Sequence, residues 1–373
     1  MGTEMIKIAD RNSRAAIQKA AAMLDDGALV AFPTETVYGI GCKADPACIE
    51  RLDEVKGRQP DKRYSLHLGS HAQIRRYVPH MSLRTGKLVH NALPGPVTVV
   101  FELRPEDFAL VQKELTPEVA GLLYTDGTIG IRYPDHAVAS AILAQTRRPI
   151  VAPSANPAAQ QPAKTPEQVR EYFDGRIDAI VDAPGASRSY NRSSTVVKAG
   201  KFRVDILREG AVSASQIQAW ASLEIVFVCT GNTCRSPIGE AVCKKYFADN
   251  LGCSIDELPA LGYKISSAGI SSFSGAVASD HSASVCREHQ VSLEGHQSRP
   301  LTLELIEKSD LIFTMSHSHW LRIVELDPLA ERKCFLLDEN GDIADPIGFG
   351  VEVYRQCFKQ IEKAVKRRMS EIL

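Results

Sequence analysis

Residues 225–237 read IVFVCTGNTCRSP, a run of apolar β-formers that ends at Cys229 and turns through a Gly-Asn-Thr loop to Arg235, Ser236 and Pro237. The run predicts a buried strand, and Ser-Pro after the loop predicts a helix start with proline in its first turn. Strand-like segments at 223–229, 263–267 and 310–315 alternate with helical patterns at 237–248, 279–289 and 352–370. That alternation predicts a doubly wound parallel sheet with helices on both faces, where ligands bind beyond the carboxyl ends of the strands. Cys229 stands at such an end.

The loop implies chemistry as well as topology. Its backbone N–H groups, from Gly231 through Asn232, Thr233 and Cys234, can wrap the oxygens of an anion together with the helix N-terminus behind them. Arg235 adds a planar, permanently charged fork suited to two of those oxygens. The same positive field favours a thiolate at Cys229, in line to displace a cradled phosphoryl group. The Ser236 hydroxyl is placed to steady that thiolate when it becomes the leaving group. A lone cysteine at a strand end is usually a small buried residue, but one followed by five residues, Arg and Ser-Pro is not lone.

The rest of the chain sets the context. At 373 residues it exceeds the usual size of one core, which predicts two domains. Lys and Arg total 44 against 45 for Asp and Glu, so any nucleic-acid surface has to be a local patch. The nine cysteines are odd in number and lack a disulfide rhythm, and no leader-like or membrane-length apolar run is visible. These features predict a reducing cytoplasm and no membrane partner.

Before residue 222 the pattern changes. A helical repeat at Ala15, Ile17, Ala20, Ala21 and Leu24 precedes the strand-like ALVAF, and PACIERLDEVKG predicts a second helix. Further strands are predicted at 97–103, 127–133, 149–154 and 194–199, with helices at 136–146 and 166–173. This is an open mixed α/β sheet, not a clean βαβ alternation. The predicted domains are 1–212 and 223–373, with 213–222 as a linker.

The second domain resembles the low-molecular-weight protein tyrosine phosphatase family, whose signature V-C-x-G-N-x-C-R-S-P is matched from Val228 to Pro237. SAGI, SRPL, DLIFTM and an Asp-Pro pair follow in order. The resemblance implies that Asp345 protonates the leaving atom and then activates water against a cysteinyl-phosphate. Thr233 stands where tyrosine-specific members usually carry an aliphatic residue, and Ile347 where they carry an aromatic. Both resemble the protein-arginine phosphatase branch, which implies phosphoarginine over phosphotyrosine as the phosphoprotein substrate. Cys234 either forms a protective disulfide under oxidation or only packs. Arsenate reduction is disfavoured, since Cys286 stands alone in its region and Cys334 lies in an apolar run.

The first domain carries no Walker or G-x-G-x-x-G loop. It carries instead PTETVYG at 33–39, Lys56-x-Arg58 and Ser154-x-Asn156. Singly, each has a bland reading: a turn, cations at a helix C-terminus, an Asx-type loop. In this order they resemble the YrdC-like threonylcarbamoyl-AMP synthases, over nearly all of residues 5–212. The resemblance implies condensation of L-threonine, bicarbonate and ATP into threonylcarbamoyl-adenylate and pyrophosphate. It also implies tRNA-modifying partner proteins, and tRNA beyond them.

In that chemistry Lys56, Arg58 and Lys62 clamp phosphates and carbamate. Ser154 and Asn156 hydrogen-bond the nucleotide, Thr34 and Tyr38 line the threonine pocket, and Arg132, Ser194 and Arg208 complete the anion and nucleotide side. Mg2+ is expected to arrive with ATP, with no tightly bound cofactor. Lys62-Arg63-Tyr64, Leu93 and Tyr190-Asn191-Arg192-Ser193 depart from the family pattern. The competing expectation is an active phosphatase fused to an inactive nucleotide- or RNA-binding regulatory domain. A scaffold with both sites degenerate conflicts with an intact Cys229, Arg235 and Asp345.

Overall fold

The computed structural model describes residues 2–10, 12–57, 63–184, 190 and 192–372. The chain divides into two compact units, Met1–Trp220 and Ala221–Leu373.

The first unit is built on a mixed sheet of ten strands among the described residues. They are β1 (Glu4–Lys7), β2 (Val30–Phe32), β3 (Gly39–Lys43), β4 (Leu66–His67), β5 (Val97–Glu102), β6 (Thr128–Arg132), β7 (Ile150–Val151), β8 (Ala179–Asp182), β9 (Thr195–Ala199) and β10 (Val204–Arg208). Their order is β1-β8-β2-β3-β7-β4-β6-β5-β9-β10. Parallel and antiparallel pairs are interleaved, as the absence of a regular βαβ rhythm predicts. Helices Arg14–Asp25 and Ala137–Gln145 cover one face, where Ile17 and Leu24 meet Phe32, Val138 and Ile142 in a closed cluster. Strands β1, β3, β4, β8 and β10 are not apparent in the sequence. They are short, and β3 and β8 are so thoroughly buried that they lack the one-sided alternation by which strands are read.

Helix Pro46–Lys56 is fixed at both ends. Asp45 caps it by accepting from Ala47 N (3.2 Å) and Cys48 N (3.4 Å), and Pro46 occupies its first turn. Gly57 ends it in the left-handed region (φ 61°), which a side chain rarely adopts. Lys56 is therefore held at a defined helix C-terminus.

The segment expected as a linker is corrected. Residues Ala214–Trp220 form a helix of the first unit, with Ile217 fully buried. Arg84, itself buried, donates to Gln218 Oε1 (3.3 Å), and Asn91 donates to the Trp220 carbonyl (3.1 Å). A seven-residue apolar-polar stretch is too short for periodicity to separate a docked helix from a tether.

The second unit is the predicted parallel sheet, with β11 (Leu223–Cys229), β12 (Tyr263–Gly269), β13 (Leu311–Thr314) and β14 (Cys334–Leu336) in the order β12-β11-β13-β14. Every pairing is parallel. Successive side chains of β11 pack into opposite layers. Val226 and Val228 join Ile312 and Ile323 on one face. On the other, Phe227 stacks on Phe313 with ring centroids 5.7 Å apart. Helix Arg235–Leu251 crosses this second layer at close range, since a Cβ on Gly239 would lie 2.8 Å from the Phe227 ring. Helices Asp280–Glu288 and Val351–Ile372 fall where the sequence predicts them.

Two candidate active sites

Cys229 ends β11, in register with Gly269 of β12 on one side and flanked by the end of β13 on the other. Its Sγ receives the Asn232 backbone N–H at 3.3 Å and lies 2.9 Å from Ser236 Oγ. Once the thiol is ionised, only the hydroxyl of that pair can donate, so Ser236 stabilises a thiolate. The loop bends through Asn232 in the left-handed region (φ 55°), and the Asn232 N–H turns to Cys229 Sγ.

Asn232 enters the site through its main chain only. Its side chain is fully buried and donates to Ser236 Oγ (2.9 Å) and Ser267 Oγ (2.8 Å), while its Oδ1 accepts from Arg299 N (2.9 Å). The side chain thus braces the loop, and the backbone N–H remains the group turned to Cys229. Cys234 likewise turns away, with Sγ 3.4 Å from Ser279 Oγ and 3.5 Å from the Tyr354 hydroxyl. Gly231 and Thr233 lie on the partly exposed rim.

Arg235 is buried and donates to the Ile343 carbonyl (2.9 Å) and to Asp345 Oδ2. The cation expected to bind the anion and the expected acid are thus paired with each other. Asp345 is half-exposed, and its other oxygen accepts from Ile347 N (3.2 Å), the turn that the following Pro346 favours. Sequence reasoning missed His319. It is buried, its Nε2 lies 2.9 Å from Thr230 Oγ1 and its Nδ1 lies 2.8 Å from Ser316 Oγ. Burial, then the nearby Arg235, holds its pKa down at about 4. A histidine in a polar SHSHW stretch gives no signal that it is inside.

In the first unit the predicted residues gather in two groups. Lys56 is buried, and its ammonium donates to the carbonyls of Ser154 and of Asn156, the latter at 2.6 Å. Ser154 Oγ donates to Asn156 Oδ1 (2.6 Å), and Asn156 Nδ2 holds the Pro157 and Gln160 carbonyls at 2.8 and 2.9 Å. Lys56 and the S-x-N motif therefore form one cationic corner. Arg58 and Lys62 lie outside the described residues. Arg63, just beyond, turns to Asp126 (2.5 Å).

The second group centres on Arg132 at the end of β6. Its guanidinium donates to Glu35 Oε1 (2.9 Å), Thr36 Oγ1 (2.6 Å) and Thr34 Oγ1 (3.3 Å). Ser194 Oγ sits 3.1 Å from Thr98 Oγ1, and Arg208 donates to the Ser194 carbonyl at 2.8 Å. Burial, then the Arg132 charge, lowers the pKa of Arg208, so two cations face one region. Glu35 is fully buried, and PTET alone gives no sign of this, because its partner lies 97 residues away. Glu35 Oε2, Arg132 Nε and His136 Nε2 are buried with no hydrogen-bond partner among the described residues, a polar surface with remaining capacity.

PTETVYG joins the two groups. Its first half meets Arg132, while Gly39 bridges to Ser154 and the Tyr38 carbonyl accepts from Ala155 N (2.7 Å). Tyr38 lies at the joint of the two groups. It is buried and donates to the Val181 carbonyl (3.2 Å), and burial raises its pKa. The hydroxyl is thus engaged within the fold.

Residues 22–210 match the Sua5/YciO/YrdC family model, described as telomere recombination, and residues 224–373 match that of low molecular weight phosphotyrosine protein phosphatase. A threonylcarbamoyl-AMP synthase of Pyrococcus abyssi is 32% identical over 219 residues, 58% of this chain and 60% of its own length. One from Marinobacter nauticus is 36% identical over 183 residues, 48% of this chain and 89% of its own. A protein-arginine-phosphatase of Bacillus subtilis is 34% identical over 155 residues, 40% of this chain and 97% of its own. The chain spans 60% and 56% of the length of the P. abyssi and B. subtilis synthases that it matches. It belongs to the Sua5/YciO/YrdC family through its first unit and to the low-molecular-weight phosphatase family through its second.

Proposed function

We propose that the chain is a bifunctional enzyme. The second unit hydrolyses phosphoarginine or phosphotyrosine on proteins, with arginine preferred. The observation that carries this reading is Cys229 Sγ between the Asn232 N–H and the Ser236 hydroxyl, with the guanidinium of Arg235, at the end of the same loop, paired with Asp345. A phosphoryl dianion entering the loop outcompetes the single carboxylate for Arg235, which releases Asp345 toward the leaving atom. The thiolate attacks phosphorus as the P–N or P–O bond breaks, and Asp345 protonates the departing nitrogen or oxygen. Water then attacks the cysteinyl-phosphate, its proton passes to Asp345, and Cys229 leaves as a thiolate held by Ser236. Thr233 on the rim supports the planar guanidinium as the preferred leaving group.

The first unit condenses L-threonine, bicarbonate and ATP into threonylcarbamoyl-adenylate and pyrophosphate. Support comes from the Lys56–Ser154–Asn156 corner and the Arg132–Ser194–Arg208 group, joined by PTETVYG. A carbamate oxygen attacking the α-phosphate builds negative charge at several oxygens, and distributed cations answer that need. Magnesium arrives with ATP as substrate. The product is handed to tRNA-modifying partner proteins, and the threonylcarbamoyl group ends on tRNA as AMP leaves.

Two assays test these readings on the full chain. Cys229→Ser abolishes turnover of phosphorylated peptides, and surviving turnover refutes the nucleophile. Wild type releases pyrophosphate from ATP only with threonine and bicarbonate, and Lys56→Ala does not. Equal release by both overturns the synthase and leaves a nucleotide-binding module.

A further inference from the structure

We propose that His319 is a positioning residue of the phosphatase site, acting through the Thr230 hydroxyl to set the phosphate loop against the acid loop. The inference rests on the phosphatase reading above. Thr230 is the first residue after the nucleophile, and it is strung between two neighbours. On the β12 side its carbonyl accepts from Ser271 N at 3.0 Å. On the β13 side its hydroxyl meets His319 Nε2 at 2.9 Å.

His319 lies in the first turn of helix His317–Leu326, which leaves the carboxyl end of β13. That corner mounts the acid loop as well. Ile343 N donates to the Met315 carbonyl (2.8 Å), His317 N donates to Asp342 Oδ1 (2.7 Å), and the Ile343 carbonyl accepts from Arg235. Met315 N in turn donates to the Val228 carbonyl (3.1 Å), one residue before the nucleophile. Thr230 and the Asp345 loop are thus referenced to the same short segment, 315–319. The imidazole is the side-chain link from that corner to the loop. Both of its nitrogens face hydroxyls, which supply whichever donor or acceptor a neutral ring lacks. Arg235 from the helix behind the loop, and Asp342 and Asp345 from the acid loop, are the charged groups that face it.

Two conservative replacements separate the ring's two contacts. Gln places its amide nitrogen near the Nε2 position, and Asn places its own near Nδ1. His319→Gln therefore keeps the Thr230 contact, whereas His319→Asn keeps Ser316 and loses Thr230. With para-nitrophenyl phosphate as substrate and the full chain, Thr230→Val and His319→Asn each lower kcat/KM about tenfold, a change of ~1.4 kcal/mol. The affinity for vanadate, which resembles the transition state, falls by the same factor.

The double variant is no worse than either single one, and His319→Gln stays within about threefold of wild type. Independent, multiplying effects of Thr230→Val and His319→Asn overturn the proposal, as does Thr230→Val at wild-type kcat/KM. Thr230→Val removes only a hydroxyl at an exposed position, so it remains decisive if His319→Asn is poorly folded. Turnover insensitive to Cys229→Ser would instead sink the phosphatase reading on which the proposal stands.

Discussion

Gly269→Ala is the most direct test of how tightly the phosphate loop is seated. Gly269 ends β12 opposite Cys229 in register, accepts from Leu301 N (2.9 Å) and donates to the Arg299 carbonyl (3.0 Å), so its own backbone is fixed. A Cβ there would lie 2.6 Å from the Thr230 carbonyl oxygen, 2.7 Å from Ser272 Cβ and 3.0 Å from Asn232 N, where ordinary contact begins near 3.4 Å. The loop must retreat by about 0.8 Å to restore contact at Thr230. The Asn232 N–Sγ bond, already 3.3 Å, lengthens accordingly. Misplacement on the order of 1 Å at a reacting centre costs about 100-fold in rate, so kcat/KM should fall ~30–100-fold. The overpacking itself should lower stability by about 1–3 kcal/mol. The assay is steady-state kinetics on a phosphopeptide at a temperature where circular dichroism shows the variant folded. Threonine-dependent pyrophosphate release serves as an internal control and should not change. A folded Gly269→Ala enzyme within threefold of wild type refutes the idea that backbone contact at this glycine seats the loop.

Four other outcomes rest on named contacts. Glu35→Gln leaves the buried Arg132 uncompensated and should destabilise the chain by about 3–5 kcal/mol, with the Glu35→Gln/Arg132→Gln pair costing less than the sum; urea melts with fully additive losses would contradict the pairing. Burial holds His67 at about 3, below its ordinary 6.5, so the unfolded chain takes up a proton that the folded chain refuses as pH falls below 6.5. Stability is then fully present above pH 6.5 and declines toward pH 3, and His67→Gln should flatten that slope; an unchanged slope in denaturant titrations argues against it. Asp345→Asn should slow hydrolysis of a phosphoester with a poor leaving group by ~100–10,000-fold and of an activated aryl phosphate far less; equal losses would remove the acid assignment. Thr233→Ile should move preference from phosphoarginine toward phosphotyrosine peptides, and an unchanged ratio ends that specificity reading.

The second unit is the more legible half. Its sheet strands are separated by helices of ordinary length, so pattern and structure coincide, and its signature places nucleophile, cation and hydroxyl within eight residues. The acid proposed at Asp345 is visible only through the family resemblance, since nothing in the spacing of a loop aspartate points 116 residues back to Cys229. His319 is hidden because burial of a polar residue leaves no trace in a polar stretch. In the first unit the site is assembled across the sheet: Arg132 reaches Glu35, and Lys56 reaches Ser154 and Asn156 across 98 and 100 residues. Such long-range closure comes from tertiary packing, to which local periodicity is blind. The Tyr38 hydroxyl and the Asn232 side chain likewise find partners inside the fold that no motif announces.

The docked helix Ala214–Trp220 bears on how the two halves can be parted. The family matches stop at 210 and resume at 224, which invites a cut between them. A fragment ending near Val212 would bare the groove that receives Ile217 and take away the Gln218 contact of the buried Arg84. Severing the gene at the Trp220–Ala221 junction leaves that groove filled. A recombination event that separated or exchanged these halves would therefore succeed several residues beyond the edge that sequence similarity marks.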